Sequence, residues 1–225
     1  MAAGAAARRV ADPGRRAADT VAMAILAMAV AVVLTVAIGP WATRPARSSM
    51  DEAARDDRRL PRLTRWLAWS AARAALLGLR SVPPTVWAVL ALLCLFPGVL
   101  PGALALGLYT GGILGRLVAE AWEGIGTRPR EALRLIGTPG WLASVAATAP
   151  PSAGHLLTYT LYRFEICVRD TAVVGVVGAG GLGRLLAENL AAFRLPAVTT
   201  LLLASMAVSI ASEVAGRRLT KALRA

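Results

Sequence analysis

Tyr162, Glu165 and Arg169 recur at i, i+3 and i+7, a spacing that sets a phenol, a carboxylate and a guanidinium on one stripe of an α-helix. Glu165 and Arg169 are four apart and can pair. Arg163 falls on another face, toward a neighbouring helix or a second subunit, and Asp170 adds a further charge. The surrounding residues are apolar, and ionised groups at membrane depth cost at least about 2.5–3.5 kcal/mol each on insertion scales. Two uses fit the stripe: ion pairs that fasten helices together, or groups that line or gate a path for solute. Arginines there would suit an anionic solute.

A second pattern is Gly178-Ala-Gly180-Gly181-Leu-Gly183, which satisfies G-x-G-x-x-G after a β-branched apolar run and resembles a dinucleotide-binding turn. No Asp or Glu lies between Glu188 and Glu213, so the ribose-binding acid expected about 20 residues on is missing. Nor do strands and helices alternate around it as a parallel sheet requires. A glycine-rich external turn permitting close backbone approach is the better reading. A membrane-associated dinucleotide-binding oxidoreductase is the remote alternative. The chain offers no catalytic constellation and no metal set, having one His and two distant cysteines, Cys94 and Cys167. Its only Lys is Lys221, so no P-loop is present.

The elements that must position these residues follow from where the charges fall. The 225 residues are 56% hydrophobic yet carry a net charge of +12, a combination that implies charge segregated from apolar runs. Uncharged runs cover residues 20–43, 81–115, 135–162 and 195–212. They are apolar all round, unlike the helices of a soluble protein. The first is long enough to span a bilayer. The second, broken at Pro97-Gly98 and Pro101-Gly102, suits two short spans joined by a tight turn. In the third, Pro139, Pro150 and Pro151 confine the helix to the part after about Ser152. The expected fold is therefore all-α and polytopic, with about five transmembrane helices near 20–40, 82–97, 99–118, 152–177 and 195–213. A basic tail (1–18) precedes this membrane domain (19–216), and a basic cytoplasmic tail (217–225) follows it.

Arginines crowd between the first span and the hairpin, after the hairpin, and at the C-terminal end, whereas the turn at 97–102 has none. The positive-inside rule then makes the basic segments cytoplasmic and that turn external. Arg8, Arg9, Arg15 and Arg16 fit this order badly. The basic surplus thus flanks lipid, and no nucleic-acid partner is expected. The first apolar run is too long for a signal peptide and lacks a small-residue cleavage site. Leu60, Leu63, Leu67, Ala71 and Ala74 recur at helical spacing beside Trp66 and Trp69, either as a helix on the inner leaflet or as an extension of the next span.

A short cytoplasmic helix is expected at about 128–136. Thr127 can cap it, Pro129 fits its first turn, Gly137 can end it in the left-handed conformation, and Pro139 prevents continuation. Ala132, Leu133 and Ile136 form its apolar face, and Arg130 and Arg134 stay wet. It reads as a knob for a groove on a soluble partner or as an ordinary loop helix.

Glu131-Ala132-Leu133, Gly137 six residues after the Glu, and Pro150 thirteen beyond that resemble the EAA loop of binding-protein-dependent ABC importer permeases. Leu133 stands where that pattern has a second Ala, and Ala147 and Ala149 where it has Ile and Leu. Residues 162–169, Tyr-Arg-Phe-Glu-Ile-Cys-Val-Arg, followed by Gly178-Ala-Gly-Gly, closely resemble the phosphonate-type permeases. Residues 80–88 and 112–120 are similar to the same family, and the resemblance runs over about 20–220. Cys167 and Asp170 depart from it, standing where Asn and a small uncharged residue are common.

The resemblance implies a multi-pass permease of the type I ABC importer fold in a bacterial inner membrane, moving phosphonate or a related oxyanion. The same architecture serving methionine or phosphate is the alternative. It implies ABC ATPase subunits, an extracytoplasmic solute-binding protein, a second permease subunit (homodimer or heterodimer) and membrane lipid as partners. The chain would be no enzyme and hold no cofactor, ATP being bound by the partner. Glu131, Ala132, Leu133, Gly137 and Pro150 would shape the ATPase-coupling contact. Tyr162, Arg163, Glu165 and Arg169 would serve the translocation pathway or gate. The family usually has one more N-terminal span, whose absence would account for the ill-fitting basic tail.

Overall fold

The computed structural model describes residues 13–44, 59–126 and 128–224. Thr127, Arg8 and Arg9 lie outside them, and the described residues contain no strand. In chain order the helices are α1 (Pro13–Ala42), α2 (Arg59–Ser81), α3 (Pro84–Cys94), α4 (Val99–Glu123), α5 (Arg128–Leu135), α6 (Gly140–Val174), α7 (Gly181–Ala191) and α8 (Leu195–Arg224). A wide helical turn, Gly175–Ala179, joins α6 to α7. α1, α4 and α8 are each long and apolar enough to cross a bilayer. Two bent pairs, Leu63–Ser81 with Pro84–Cys94 at 92° and Leu142–Ala179 with Gly181–Ala191 at 57°, bring the candidate spans to five.

Several local expectations are corrected. α6 does not wait for Ser152 but runs from Gly140 through Pro150 and Pro151. Prolines are tolerated in such helices when side chains bind the loosened backbone. The carbonyls that lose their helical donors are those of Ala146 and Ala147; on either side of them the Ser152 hydroxyl donates to the Thr148 carbonyl (2.7 Å), the Thr148 hydroxyl to the Ser144 carbonyl (2.7 Å), and the Trp122 indole N–H to Ser152 Oγ (3.0 Å). The hairpin turn is confined to the region of Pro97-Gly98, because Pro101 and Gly102 already belong to the first turn of α4, where a missing N–H costs nothing. α3 is 11 residues long, about 16 Å, shorter than the hydrocarbon core. The 92° bend at Pro83-Pro84 rules out α2 as a straight extension of it. The stripe on α2 faces outward: Leu63 and Leu67 are exposed, while Ala72 and Leu76 are buried. Arg15 and Arg16 sit in the first turns of α1, and Arg217, Arg218 and Lys221 continue α8.

The chain divides into two units. The first (Met1–Ala31, Ser81–Thr110, Leu161–Ala225) has a core of small and medium side chains: Met23, Ala27, Ala88, Ala103, Leu106, Cys167, Val174 and Ala179. Small residues let helix backbones approach where lipid gives no hydrophobic drive to pack. A Cβ on Gly102 would lie 2.6 Å from Met23 Sδ, and one on Gly107 2.7 Å from Val30 Cβ. Burying the N-terminus of α7 leaves amide N–H groups to satisfy. Leu182 N–H donates to Thr20 Oγ1 (3.0 Å), whose own proton goes to the Arg16 carbonyl (2.9 Å).

The second unit (Val32–Arg80, Gly111–Thr160) packs Ile38 and Ala42 of α1 with Ala72 and Leu76 of α2 and Ala119 of α4. Gly112 and Gly115 admit α2 closely, since a Cβ on either would fall within 3 Å of α2 atoms. Arg73 stacks over Trp69 at 5.2 Å. It also donates through Nε to the Ala42 carbonyl (3.0 Å) and through Nη2 to Glu123 Oε1 (2.5 Å).

Candidate functional site

The stripe on α6 forms as its spacing requires. Arg169 Nη2 donates to Glu165 Oε1 at 2.5 Å and reaches Glu213 Oε2 on α8 at 3.3 Å. Glu213 is bound in turn by Arg217. Two carboxylates and two guanidiniums thus alternate across two membrane helices, so each charge at depth has an opposite neighbour. Glu213 and Arg217 were not singled out as site residues; the available signal was a lone acid four residues before a base. Tyr162 belongs to the same stripe but is exposed.

Arg163 turns away from the network. It is buried, lies 5.7 Å from the Tyr109 ring and is 3.4 Å from Thr110 Oγ1, both on α4. A cation over an aromatic face with a hydroxyl beside it is a helix-to-helix fastening. Arg169 instead opens onto a cavity of about 300 Å³ whose wall includes Thr20, Ser205 and Ser209. The Thr20, Ser205 and Ser209 hydroxyls on that wall give their protons to helix carbonyls, and Arg169 is itself held by two carboxylates. Tyr162, Arg163 and Glu165 do not line that cavity.

The glycine-rich segment is a turn between two helices. Val173 and Val174 end α6 and the wide turn follows, so no strand precedes it. Gly178 and Gly180 have φ of +115° and +94° and Gly181 +67°, a region L side chains avoid. Gly183 packs against Ala172. The glycines bend the chain and let α6 and α7 approach closely.

α5 spans Arg128–Leu135, against an expected 128–136. Glu131 stands in its first turn, where the helix dipole favours a carboxylate. Its C-terminal end is a left-handed glycine closure: Gly137 has φ +87°, its N–H donates to the Arg134 carbonyl (2.9 Å), and Thr138 N–H donates to the Leu133 carbonyl (3.2 Å). The facing of α5 differs from expectation. Leu135 and Ile136 are 89% and 77% exposed, Glu131 and Ala132 are exposed, and Leu133 is half-buried. Arg130 and Arg134 turn inward to line a cavity with Trp41, Trp69 and Glu123. Arginine stems cover tryptophan readily, so the basic face packs and the apolar one is presented. Pro150, thirteen residues past Gly137, lies exposed within α6.

Glu123 holds this end of the second unit together, accepting from Arg73 (2.5 Å) and from the Arg44 backbone N–H (2.8 Å). Glu123→Gln keeps the shape and removes the charge. It is expected to lower unfolding stability by about 1.5–3 kcal/mol, the usual worth of a hydrogen bond to a charged group. Thermal unfolding of the detergent-solubilised variant reads this.

Residues 62–225 match the family described as binding-protein-dependent transport system inner membrane component. The chain is 36% identical over 174 residues to the phosphate-import permease protein PhnE of Mycolicibacterium smegmatis, covering 77% of this chain and 30% of that protein. It is 33% identical over 190 residues to the phosphite transport system permease protein PtxC of Stutzerimonas stutzeri, covering 84% of this chain and 63% of that one. It therefore spans less than two thirds of either relative's length. Its fold is similar to a chain of the MetNI methionine ABC transporter in an inward-facing conformation, with a TM-score of 0.72, 19% identity, and 93% and 95% of the two chains covered.

Proposed function

Because the chain belongs to the family of binding-protein-dependent transport system inner membrane components, we propose that it is the permease subunit of a bacterial ABC importer for phosphonate or a related phosphorus oxyanion. Relatives named for phosphate import and phosphite transport support the substrate class. The methionine transporter shares the fold at 19% identity, which supports the architecture and leaves methionine the less favoured cargo.

The observation that carries the mechanism is α5: a sharply ended helix between two long ones, presenting Leu135 and Ile136 outward. Two large apolar side chains on an otherwise charged surface suit a groove on a soluble partner. In this reading that partner is an ABC ATPase, which binds the ATP, so the permease needs neither a cofactor nor a catalytic site of its own. Glu131, Ala132, Leu133 and Gly137 shape the contact, and Pro150 lies in the helix that carries motion away from it. The arginine-rich ends face the cytoplasm. A solute-binding protein delivers cargo on the other side, and a second permease subunit completes the path. Tyr162, Glu165, Arg169 and Glu213 stand along that path, while Arg163 braces it.

The test is reconstitution in lipid vesicles with the ABC ATPase and solute-binding protein of the same organism. ATP-dependent uptake of phosphonate, phosphite or phosphate is expected, and uptake of methionine alone would overturn the substrate class. Gly137→Val, at a position where a Cβ meets nothing within 4 Å, disturbs only the left-handed closure, at about 1–2 kcal/mol. It is expected to lower uptake about tenfold with the protein still inserted. Unchanged uptake would remove α5 from the coupling role.

A further inference from the structure

α6 is 35 residues long, about 52 Å, and so crosses a hydrocarbon core of about 30 Å unaided. α7 is then not needed for the crossing, and the 57° bend turns it away from the axis of α6. It offers three faces. Leu182 and Leu185 are buried in a cluster with Leu201 and Val208 of α8. Arg184 and Glu188 pair at 2.9 Å on a second, wetter face. Leu190 lies on the far side of the helix from that pair and is exposed. A charged face opposite an exposed apolar one is the layout of a helix resting on a lipid surface.

The end of α7 repeats the closure of α5 with one difference. Phe193 N–H donates to the Leu190 carbonyl (3.0 Å) and Arg194 N–H to the Asn189 carbonyl (2.9 Å), the same steps of three and five residues that close α5 at Gly137. Here the residue in the left-handed region is a phenylalanine, at φ +52°, a conformation that bulky side chains rarely take and glycine takes freely. Its side chain is 87% exposed, so the less favourable residue gains little packing within the chain. The membrane boundary is close by. Leu195 opens the apolar run of α8, and two residues of chain reach at most about 7 Å, roughly the depth of a headgroup layer. Phe193 therefore stands at headgroup level, with Arg194 exposed beside it. Only 6% of the apolar run of α8 is buried, so lipid reaches the helix that α7 packs against.

We propose that α7 is an interfacial anchor. It lies on the leaflet opposite the end of α8 that carries Arg217 and Arg218. Leu190 and Phe193 sink among the outermost parts of the acyl chains, Arg194 reaches the lipid phosphates, and the Arg184–Glu188 pair stays in water. A left-handed phenylalanine serves here because the membrane, not the protein, receives its ring. A protein docking from water would meet the ion-paired face instead. With α7 held in the membrane plane, the glycine turn at 178–181 takes up any change in the tilt of α6. The inference needs only that the chain crosses a bilayer; it does not depend on what is transported.

The test places a nitroxide on Glu188→Cys, Leu190→Cys or Leu195→Cys, each in the full chain with the exposed Cys94 changed to Ser; Cys167 is buried and stays unlabelled. In vesicles of phosphatidylcholine and phosphatidylglycerol, collisions with oxygen, which enters lipid, are compared with collisions with a nickel chelate, which stays in water. The oxygen-to-nickel ratio is expected to be high at Leu190 and Leu195 and low at Glu188. Phe193→Gly keeps the closure and deletes the ring, and is expected to lower the ratio at Leu190, whereas Phe193→Trp is expected to retain it. Equal ratios at Glu188 and Leu190 overturn the proposal, as does a Leu190 ratio unmoved by Phe193→Gly. Protection of Leu190 from both reagents overturns it too, since a second protein, either another copy of this chain or a docked binding protein, would then cover that face.

Discussion

Replacing Arg169 by alanine is expected to abolish solute uptake while the chain still inserts in the membrane. Arg169 bridges the carboxylates of Glu165 and Glu213, at 2.5 and 3.3 Å. Without it, Glu165 loses its partner and Glu213 keeps only Arg217. An ionised carboxylate left unpaired in the membrane costs about 2.5–3.5 kcal/mol or more, so α6 and α8 must separate, rearrange or take up a proton. A loss of that size, applied to a transport step, is about a hundredfold or more in rate. Glu165→Gln leaves Arg169 its contact with Glu213 but unbalances the charge, and uptake is expected to fail there too. Arg169→Lys retains a cation and is expected to recover part of the activity, less than fully because an ammonium cannot fork between two carboxylates. Uptake is measured per inserted molecule. A pair that only fastens helices lowers the amount of inserted protein, whereas a gate lowers transport by what remains. Normal uptake by both Arg169→Ala and Glu165→Gln would remove the stripe from the pathway.

The pairing of Glu165 with Arg169 was legible because it is local: four residues on a helix bring two side chains together whatever the rest of the chain does. The turning away of Arg163 follows from the same geometry. Its partners Tyr109 and Thr110, and the contact of Arg169 with Glu213, were not legible, since each joins residues more than 40 positions apart on another helix. The ends of α5 were readable for the local reason again, a glycine in the left-handed region followed by proline. The facing of α5 was not. An apolar face offered to a partner's groove is what the sequence suggests, but Arg130 and Arg134, expected to stay wet, line a pocket walled with tryptophan and a carboxylate. On α2 Leu63, Leu67 and Leu77 face out while Ala72 and Leu76 pack. Beside lipid, close approach and not hydrophobicity selects the buried face. Pro150 and Pro151 misled because helix-breaking rules are drawn from water, where an unpaired carbonyl has a better alternative than a strained helix.

The largest loss of stability is expected from adding a single methyl group at Gly183. An ideal Cβ there would lie 2.1 Å from the Ala172 carbonyl oxygen, 2.9 Å from its carbon and 2.9 Å from Gly175 Cα. All three are backbone atoms, so no side chain can swing aside to make room. The opposing surface is equally tight, since a Cβ on Gly175 would meet the Gly180 carbonyl oxygen at 2.6 Å and Gly183 Cα at 2.8 Å. The 57° bend between α6 and α7 can accept a methyl only by opening. That would draw Leu182 N–H from Thr20 Oγ1, now 3.0 Å away, and leave a buried helix N-terminus short of an acceptor. Overpacking where side chains can adjust costs about 1–3 kcal/mol, and the lost hydrogen bond adds about 1–3 kcal/mol. Gly183→Ala should therefore lose about 3 kcal/mol or more, a large share of a domain's usual 5–15 kcal/mol, and Gly183→Val should fail to accumulate. Gly154→Ala is the control: it lies in α6, exposed, with nothing within 4 Å of a built Cβ. Helix propensity alone predicts a gain there of about 0.5–1 kcal/mol. Yield of monodisperse protein after extraction and the thermal midpoint in detergent separate the two. A Gly183→Ala protein that unfolds at the wild-type temperature would mean that the close crossing of α6 and α7 does not hold this unit together.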